Sequence, residues 1–323
     1  MKVHGVLGEL DVAELGQTLV HEHIVTADWS LRMAFGERFY QHDLVADRAV
    51  EHFLKARDHG VRTIVDGTPV NMGRDVRLVR EVAERTGLNF IVSSGFYFQD
   101  EVYLTYRSPD EIHEWLSTEC RDGIAGTDIR PGIMKVACAD NAITPVQEKV
   151  LRAVGRVAAE QGLPIFAHHH TSAANGEGIL DLLEEAGAAA SQVVLGHSGD
   201  TNDLDYLERL LRRGCYLGMD RFGHCAVSNS LTDRVATIAE LCARGHADRL
   251  LLSHDLATYW GVFGTWQDFV SHDPLADGVD FSFIHREVLP ALDAAGVEPG
   301  RALALLEQNP AELFTIKTAS LPS

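Results

Sequence analysis

Six residues have the types and the order from which a metal site can be built: His21, His23, Lys135, His168, His197 and Asp255. The first two lie in Thr18-Leu19-Val20-His21-Glu22-His23-Ile24, which begins apolar and β-prone and ends in His-x-His. Side chains alternate faces along a strand, so both imidazoles project to one side, about 6–7 Å apart, and can share one divalent cation. His168, His197 and Asp255 each close a later apolar, β-prone run. Imidazole and carboxylate suit zinc, cobalt, manganese or iron. Core filling is a poor explanation for all five, because each would bury a polar group without compensation.

Lys135 sits in mid-strand between Met134 and Val136, where a charged, unpaired amine facing the core would be costly. Three readings are open on the residues alone. It forms an ion pair with a carboxylate, or a Schiff base, or it is carboxylated by CO2 so that its carbamate bridges two metals.

The elements that must position these residues can be read in order. Apolar, β-prone runs occur at 18–24, 61–67, 89–95, 132–136, 163–168, 192–197, 215–220 and 249–255. Helical patterns fill 47–59, 73–86, 110–123, 145–161, 176–187, 203–213 and 230–244, and two helices close the chain. A loop spans Val25 to Ala46, and a second spans 256–281, where Tyr259, Trp260, Phe263 and Trp266 are expected to line an apolar channel. Continuous apolar strands alternating with helices mean a parallel sheet covered on its outer face. Eight such units in 323 residues predict a single-domain (β/α)8 TIM barrel over 1–323. A doubly wound open sheet is the alternative, but no G-x-G-x-x-G follows the first strand. In a barrel the carboxyl ends of the strands, where the six residues lie, form the catalytic face.

Composition narrows the partners. The chain is 46% hydrophobic, and 47 acidic residues against 28 basic ones give a net charge of −19, which argues against nucleic acid and anionic membranes. The start of the chain lacks a signal-peptide core, and no run of about 18 apolar residues suggests a span. The five cysteines are odd in number and lack C-x-x-C spacing, as expected of reduced thiols in a cytosolic protein. There is no G-x-S-x-G for serine hydrolase chemistry and no P-loop for nucleotides.

The order His-x-His, Lys, His, His, Asp on strands one, four, five, six and eight resembles the binuclear amidohydrolase superfamily. LVHEHI, TIVDGTP with NMGRD, PGIMKVA, GHSGDTNDLDYL, GMDRFG and LLLSHD together resemble the phosphotriesterase family, above all its lactonase-like branch, from about Thr18 to the final NPAELF. The resemblance implies two divalent metal ions per chain, zinc foremost, with cobalt, manganese or iron as alternatives. His21, His23 and Asp255 would hold the buried ion and His168 and His197 the outer one, with N6-carboxylated Lys135 and a hydroxide bridging them. It also implies a homodimer. Phosphotriesterases proper carry a histidine after the seventh-strand aspartate; this chain has Arg221 there, as the lactonase branch does. Tyr97 matches a lactonase tyrosine that touches the substrate and the outer metal. In His168-His169-His170 the family motif selects His168, leaving the other two as supporting or solvated residues.

These readings converge on a metal-dependent hydrolase acting on a small lactone or ester. Its nucleophile would be the bridging hydroxide, Asp255 would relay the proton, Tyr97 would polarise the carbonyl, and Arg221 would orient the site through a pair with Asp200. A weak phosphotriesterase side activity is expected. The alternatives are a phosphotriesterase or carboxylesterase as the main activity, and a metal-binding barrel without turnover.

Overall fold

The protein was analysed as a computed structural model, which describes residues 1–138, 142–225, 228–261, 273, 275 and 278–315. Lys2–Gly5 (β1) and Gly8–Asp11 (β2) form an antiparallel hairpin that the sequence reading did not anticipate. The barrel strands follow: Gln17–Thr26 (β3), Val61–Asp66 (β4), Asn89–Gly95 (β5), Ile133–Ala137 (β6), Ile165–His168 (β7), Val193–Gly196 (β8), Tyr216–Met219 (β9), Leu250–Leu252 (β10) and Ala257–Trp260 (β11). All pair in parallel, in the order β10-β9-β8-β7-β6-β5-β4-β3-β11.

Nine strands make an eight-fold barrel because the last one is interrupted. β10 pairs with β9 on one side, while β11 pairs with β3 on the other. Between them the chain bonds directly to β3: Asp255 N donates to His21 O (3.1 Å), and His23 N donates to Leu256 O (2.8 Å). The expected (β/α)8 TIM barrel is the fold. The expected loop 256–281 is corrected at its start, since Ala257–Trp260 completes the eighth strand.

Most helices lie within a few residues of the expected spans. One with clear local causes is Pro145–Gln161. Thr144 Oγ1 accepts from Gln147 N (3.1 Å) and the Gln147 side chain accepts from Thr144 N (3.2 Å), while left-handed Gly162 stops the helix. The expected Val25–Ala46 loop is largely ordered: Trp29–Phe35 is a helix capped by Asp28, and the next helix begins at His42 rather than 47. The helix Trp29–Phe35 buries none of its residues, so it has no apolar face for periodicity to reveal. Among the described residues three α-helices, rather than the expected two, follow the eighth strand: Leu289–Ala294, Pro299–Ala304 and Gln308–Leu313. Among the described residues no helix is long and apolar enough to cross a membrane.

Each strand from β3 to β10 gives one side chain to an interior layer: Val20, Val65, Ile91, Ile133, Phe166, Val194, Tyr216 and Leu251. Val3 and Val12 from the hairpin region and Leu313 and Phe314 from the last helix close this layer from below. The remaining core lies between strands and helices. The interior layer is the floor on which the polar residues stand.

Candidate metal centre

One step above that floor, alternation brings Lys135 (two after Ile133), His168 (two after Phe166) and Asp220 to the barrel axis. β3 departs from simple alternation, because both Val20 and His21 point inward. Leu19 pairs with Ile64 and Glu22 with Asp66, three residues on one strand against two on the next. That extra residue is a bulge, which re-aims the strand so that His21 and His23 both enter the cavity. Gly67 leaves room for this: a Cβ there would lie 2.7 Å from the His21 ring. His197 and Asp255 lie one and three residues beyond the strand ends, both with left-handed backbone (φ 67° and 60°). Holding a non-glycine residue there costs about 1–2 kcal/mol, which persists only when the surroundings fix it.

All six expected ligands are buried and brought together. His23 Nε2 is 3.2 Å and His21 Nε2 3.5 Å from Asp255 Oδ1. Lys135 Nζ is 3.0 Å from His21 Nε2 and lies 4.3 Å above the Phe166 ring centre. His197 Nε2 and His168 Nδ1 approach to 2.7 Å, and Tyr97 Oη is 3.5 Å from the same His168 nitrogen. A cavity of about 410 Å³ opens above them, lined by five of the six and by Tyr97, Phe98, Met72, Trp260, Arg221 and His224.

Electrostatics favour ligand forms over protonated ones. Burial, aided by Lys135, pushes His21 down to about 3, and burial and His197 drive His168 well below its ordinary range. Burial pushes Lys135 down to about 8, against the pull of Asp255 and Asp220. Burial would raise the Asp255 carboxyl, but His21, His23 and His197 outweigh it and hold Asp255 well below the usual range.

The donor set fits divalent transition metals. His21, His23 and Asp255 offer three ligand atoms within 4.8 Å of one another. The rear nitrogens are already engaged: His21 Nδ1 with Asp220 Oδ2 and His23 Nδ1 with Thr68 Oγ1, both at 2.8 Å. Such outer partners fix the tautomer and aim Nε2 at a cation. His21, His197 and Asp220 also cluster within 4.8 Å. We read Asp220 as a support, because its oxygens are taken by His21 Nδ1 and by His197 N (2.6 Å) and it does not line the cavity.

Arg221 pairs with Asp200 as expected (2.8 Å) and also donates to Asp255 Oδ2 (3.2 Å). His254 is buried away from the cavity, and Glu22 accepts its Nδ1 (2.7 Å). Tyr259 does not line the channel: its hydroxyl donates to Phe39 O, and only Trp260 of the pair faces the cavity. Phe263 and Trp266 lie outside the described residues. His169 is fully buried against Gly196 O, whereas His170 faces the cavity. His52 is buried and paired with Asp273 (2.7 Å).

Some functional positions were missed. Glu22, the middle of His-x-His, is buried and accepts from Ser253 Oγ (2.6 Å), His254 N (2.9 Å), His254 Nδ1 and Leu256 N (3.1 Å). Asp220 sits at a strand end like the ligands and was legible by the same criterion. His224, Phe98 and Met72 carried no signal that separates them from other loop residues.

The barrel and this centre define the class: a metal-dependent hydrolase of the TIM-barrel type. The chain belongs to the phosphotriesterase family, whose model matches residues 1–314 and whose members are binuclear metal enzymes. It is similar to the phosphotriesterase homology protein of Mycobacterium tuberculosis (35% identity, covering 95% of both chains). It is also similar to the aryldialkylphosphatase of Saccharolobus solfataricus (29% identity, 95% of this chain and 97% of the other). The solved structure of the phosphotriesterase from Mycobacterium tuberculosis superposes with a TM-score of 0.89 at 33% identity, over 98% of this chain and 99% of that one.

Proposed function

We propose that the protein is a lactonase: a binuclear hydrolase that opens lactones, with phosphotriester hydrolysis as a weaker side activity. The observation that carries this reading is Arg221 Nε against Asp255 Oδ2 at 3.2 Å, where a proton-relaying histidine would otherwise stand. Arginine does not deprotonate in proteins, so it can orient Asp255 but cannot relay from it. Asp255 itself then receives the proton of the attacking water and returns it to the departing alkoxide, a basic leaving group that needs protonation.

Two divalent cations, zinc foremost with cobalt, manganese or iron as alternatives, supply Lewis acidity and acidify water at neutral pH. His21, His23 and Asp255 would hold one, and His168 and His197 the other. We assign Lys135 as the carboxylated bridge. Burial favours its neutral amine, which attacks CO2 and releases one proton to give a carbamate whose single negative charge is shared by two oxygens. Tyr97 Oη, beside His168, donates to the substrate carbonyl as negative charge develops there. Phe98, Met72 and Trp260 give the cavity apolar walls for the rest of the substrate. We further propose a cytosolic homodimer and one domain over residues 1–323.

A second reading, phosphotriester hydrolysis as the main activity, is favoured by the relative named aryldialkylphosphatase. A panel of acyl-homoserine lactones, larger-ring lactones, aryl esters and paraoxon-type triesters, on one metal-loaded preparation, decides between them. Lactones are expected to lead by more than about tenfold in kcat/KM, roughly 1.4 kcal/mol of transition-state binding. A lead of that size for triesters would overturn the lactonase assignment.

A further inference from the structure

Arg234 is a whole arginine buried at 1% exposure in the helix Leu231–Ala243, outside the cavity. An arginine so placed is costly unless its charge and donors are used. Its Nη2 donates to Asp200 Oδ1 and to Ser228 Oγ, and its Nε to Asn229 O (3.0 Å). The other oxygen of Asp200 accepts from Arg221 Nη1 (2.8 Å), and Arg221 Nε reaches Asp255 Oδ2 (3.2 Å). Two arginines therefore bracket one aspartate, and the row ends on a ligand of the metal centre.

A second contact runs to the other metal position. Arg234 Nη1, which makes no hydrogen bond among the described residues, lies beside the turn Ser198–Asp200 that follows His197: a Cβ added on Gly199 would sit 2.8 Å from it. That turn also receives Asn229 Nδ2 at Gly199 O (3.1 Å), from the segment that Arg234 Nε holds, and Asp200 N donates to His197 O (3.0 Å). His197 and Asp255 are the two ligands with left-handed backbone, and one guanidinium bears on the supports of both.

We propose that Arg234 is a positioning residue of the hydrolytic site, setting Asp255 through Asp200 and Arg221, and His197 through the Gly199 turn. The inference rests on the binuclear reading above, in which those two residues hold different metals. Removing the guanidinium leaves Asp200 with one arginine in place of two and frees the turn under His197. Arg234→Met keeps the apolar stem without the charge, Arg234→Lys keeps a charge without the fork, and Gly199→Ala displaces Nη1 while leaving the arginine present.

The test uses the full chain and compares metal retention after a fixed dialysis with kinetics of the folded, metal-saturated protein. Arg234→Met is expected to retain less metal and to lose about tenfold or more in kcat, with KM changed less than about threefold. Arg234→Lys should recover part of the loss, and Gly199→Ala should reproduce it. Combined with Asp200→Asn, the Arg234→Met loss should be less than the product of the two single losses, because both act through one row.

A folded Arg234→Met protein with wild-type kcat and metal retention, changed only in melting temperature, overturns the proposal. If Arg234→Met does not fold, Arg234→Lys and Gly199→Ala decide it: wild-type kcat and metal retention in both overturn it, and losses in both support it. Wild-type protein that saturates below two metals per chain, or turns over no substrate of the panel, would overturn the binuclear hydrolase instead, whatever Arg234 does.

Discussion

At the scale of single residues, Lys135 is the side chain whose burial makes sense only through chemistry. It is 1% exposed, in a barrel interior where its amine lies over Phe166 and beside His21. A methionine would fill the same volume without the desolvation cost of an amine. Lys135→Met is therefore expected to raise the melting temperature of metal-free protein and to lower metal affinity at least about a hundredfold. Lys135→Ala should regain part of its activity from added short-chain carboxylates, which supply the missing anionic oxygens. Normal binding of two metals by either variant would exclude the carbamate. The clustering of the candidate ligands was legible because a polar residue closing an apolar strand is hard to explain otherwise. Glu22 was not, since a glutamate between two histidines has nothing in its type to distinguish a solvated residue from a buried one with four donors.

At the scale of elements, Glu22 explains how an interrupted eighth strand holds its place. The carboxylate gathers Ser253, His254 and Leu256, the residues on either side of Asp255, and ties them to β3. Glu22→Gln exchanges one acceptor oxygen for a donor that would face donors. Leaving such a group unpaired is expected to cost roughly 2–3 kcal/mol, seen as a lower denaturation midpoint and poorer retention of the ion at Asp255. Unchanged metal retention in the folded variant would show that the break in the strand is held by its backbone pairing alone. Strand positions were readable from apolar runs and flanking glycines, but the break was not. It depends on a long-range carboxylate, more than 230 residues away in the chain. The N-terminal hairpin escaped for a different reason: its strands are mostly exposed or half-buried, so neither carries the continuous apolar run that marked the equally short barrel strands.

At the scale of the whole molecule, the barrel keeps several imidazoles dry and neutral. His21 is pushed down to about 3, and His169 and His285 each to about 4, in every case chiefly by burial. An unfolded chain takes up protons at these histidines near pH 6.5, before the folded one does, so stability is complete above that pH and falls as pH drops toward 4. His169 alone would account for roughly 2–3 kcal/mol by pH 4.5. The melting temperature of metal-free protein should fall steadily from pH 7 to pH 4.5, and His169→Gln should flatten part of the slope. A flat profile in the wild type would mean that these rings are already protonated in the folded state.

The left-handed backbone at His197 and Asp255 has a consequence for which sequences can evolve here. Glycine occupies that conformation at least cost, asparagine, aspartate and histidine tolerate it better than other residues, and β-branched residues are nearly excluded. If both codons are randomised and the library is selected for protease resistance alone, without metal or substrate, survivors at the two positions should be enriched in glycine, asparagine and aspartate. Histidine at 197 should be out-competed by glycine if, as proposed, it is there to hold an ion. Recovery of histidine at wild-type frequency would show instead that the imidazole contributes to folding through Asp220 and His168. The two positions would then be old parts of the scaffold that later acquired a catalytic use.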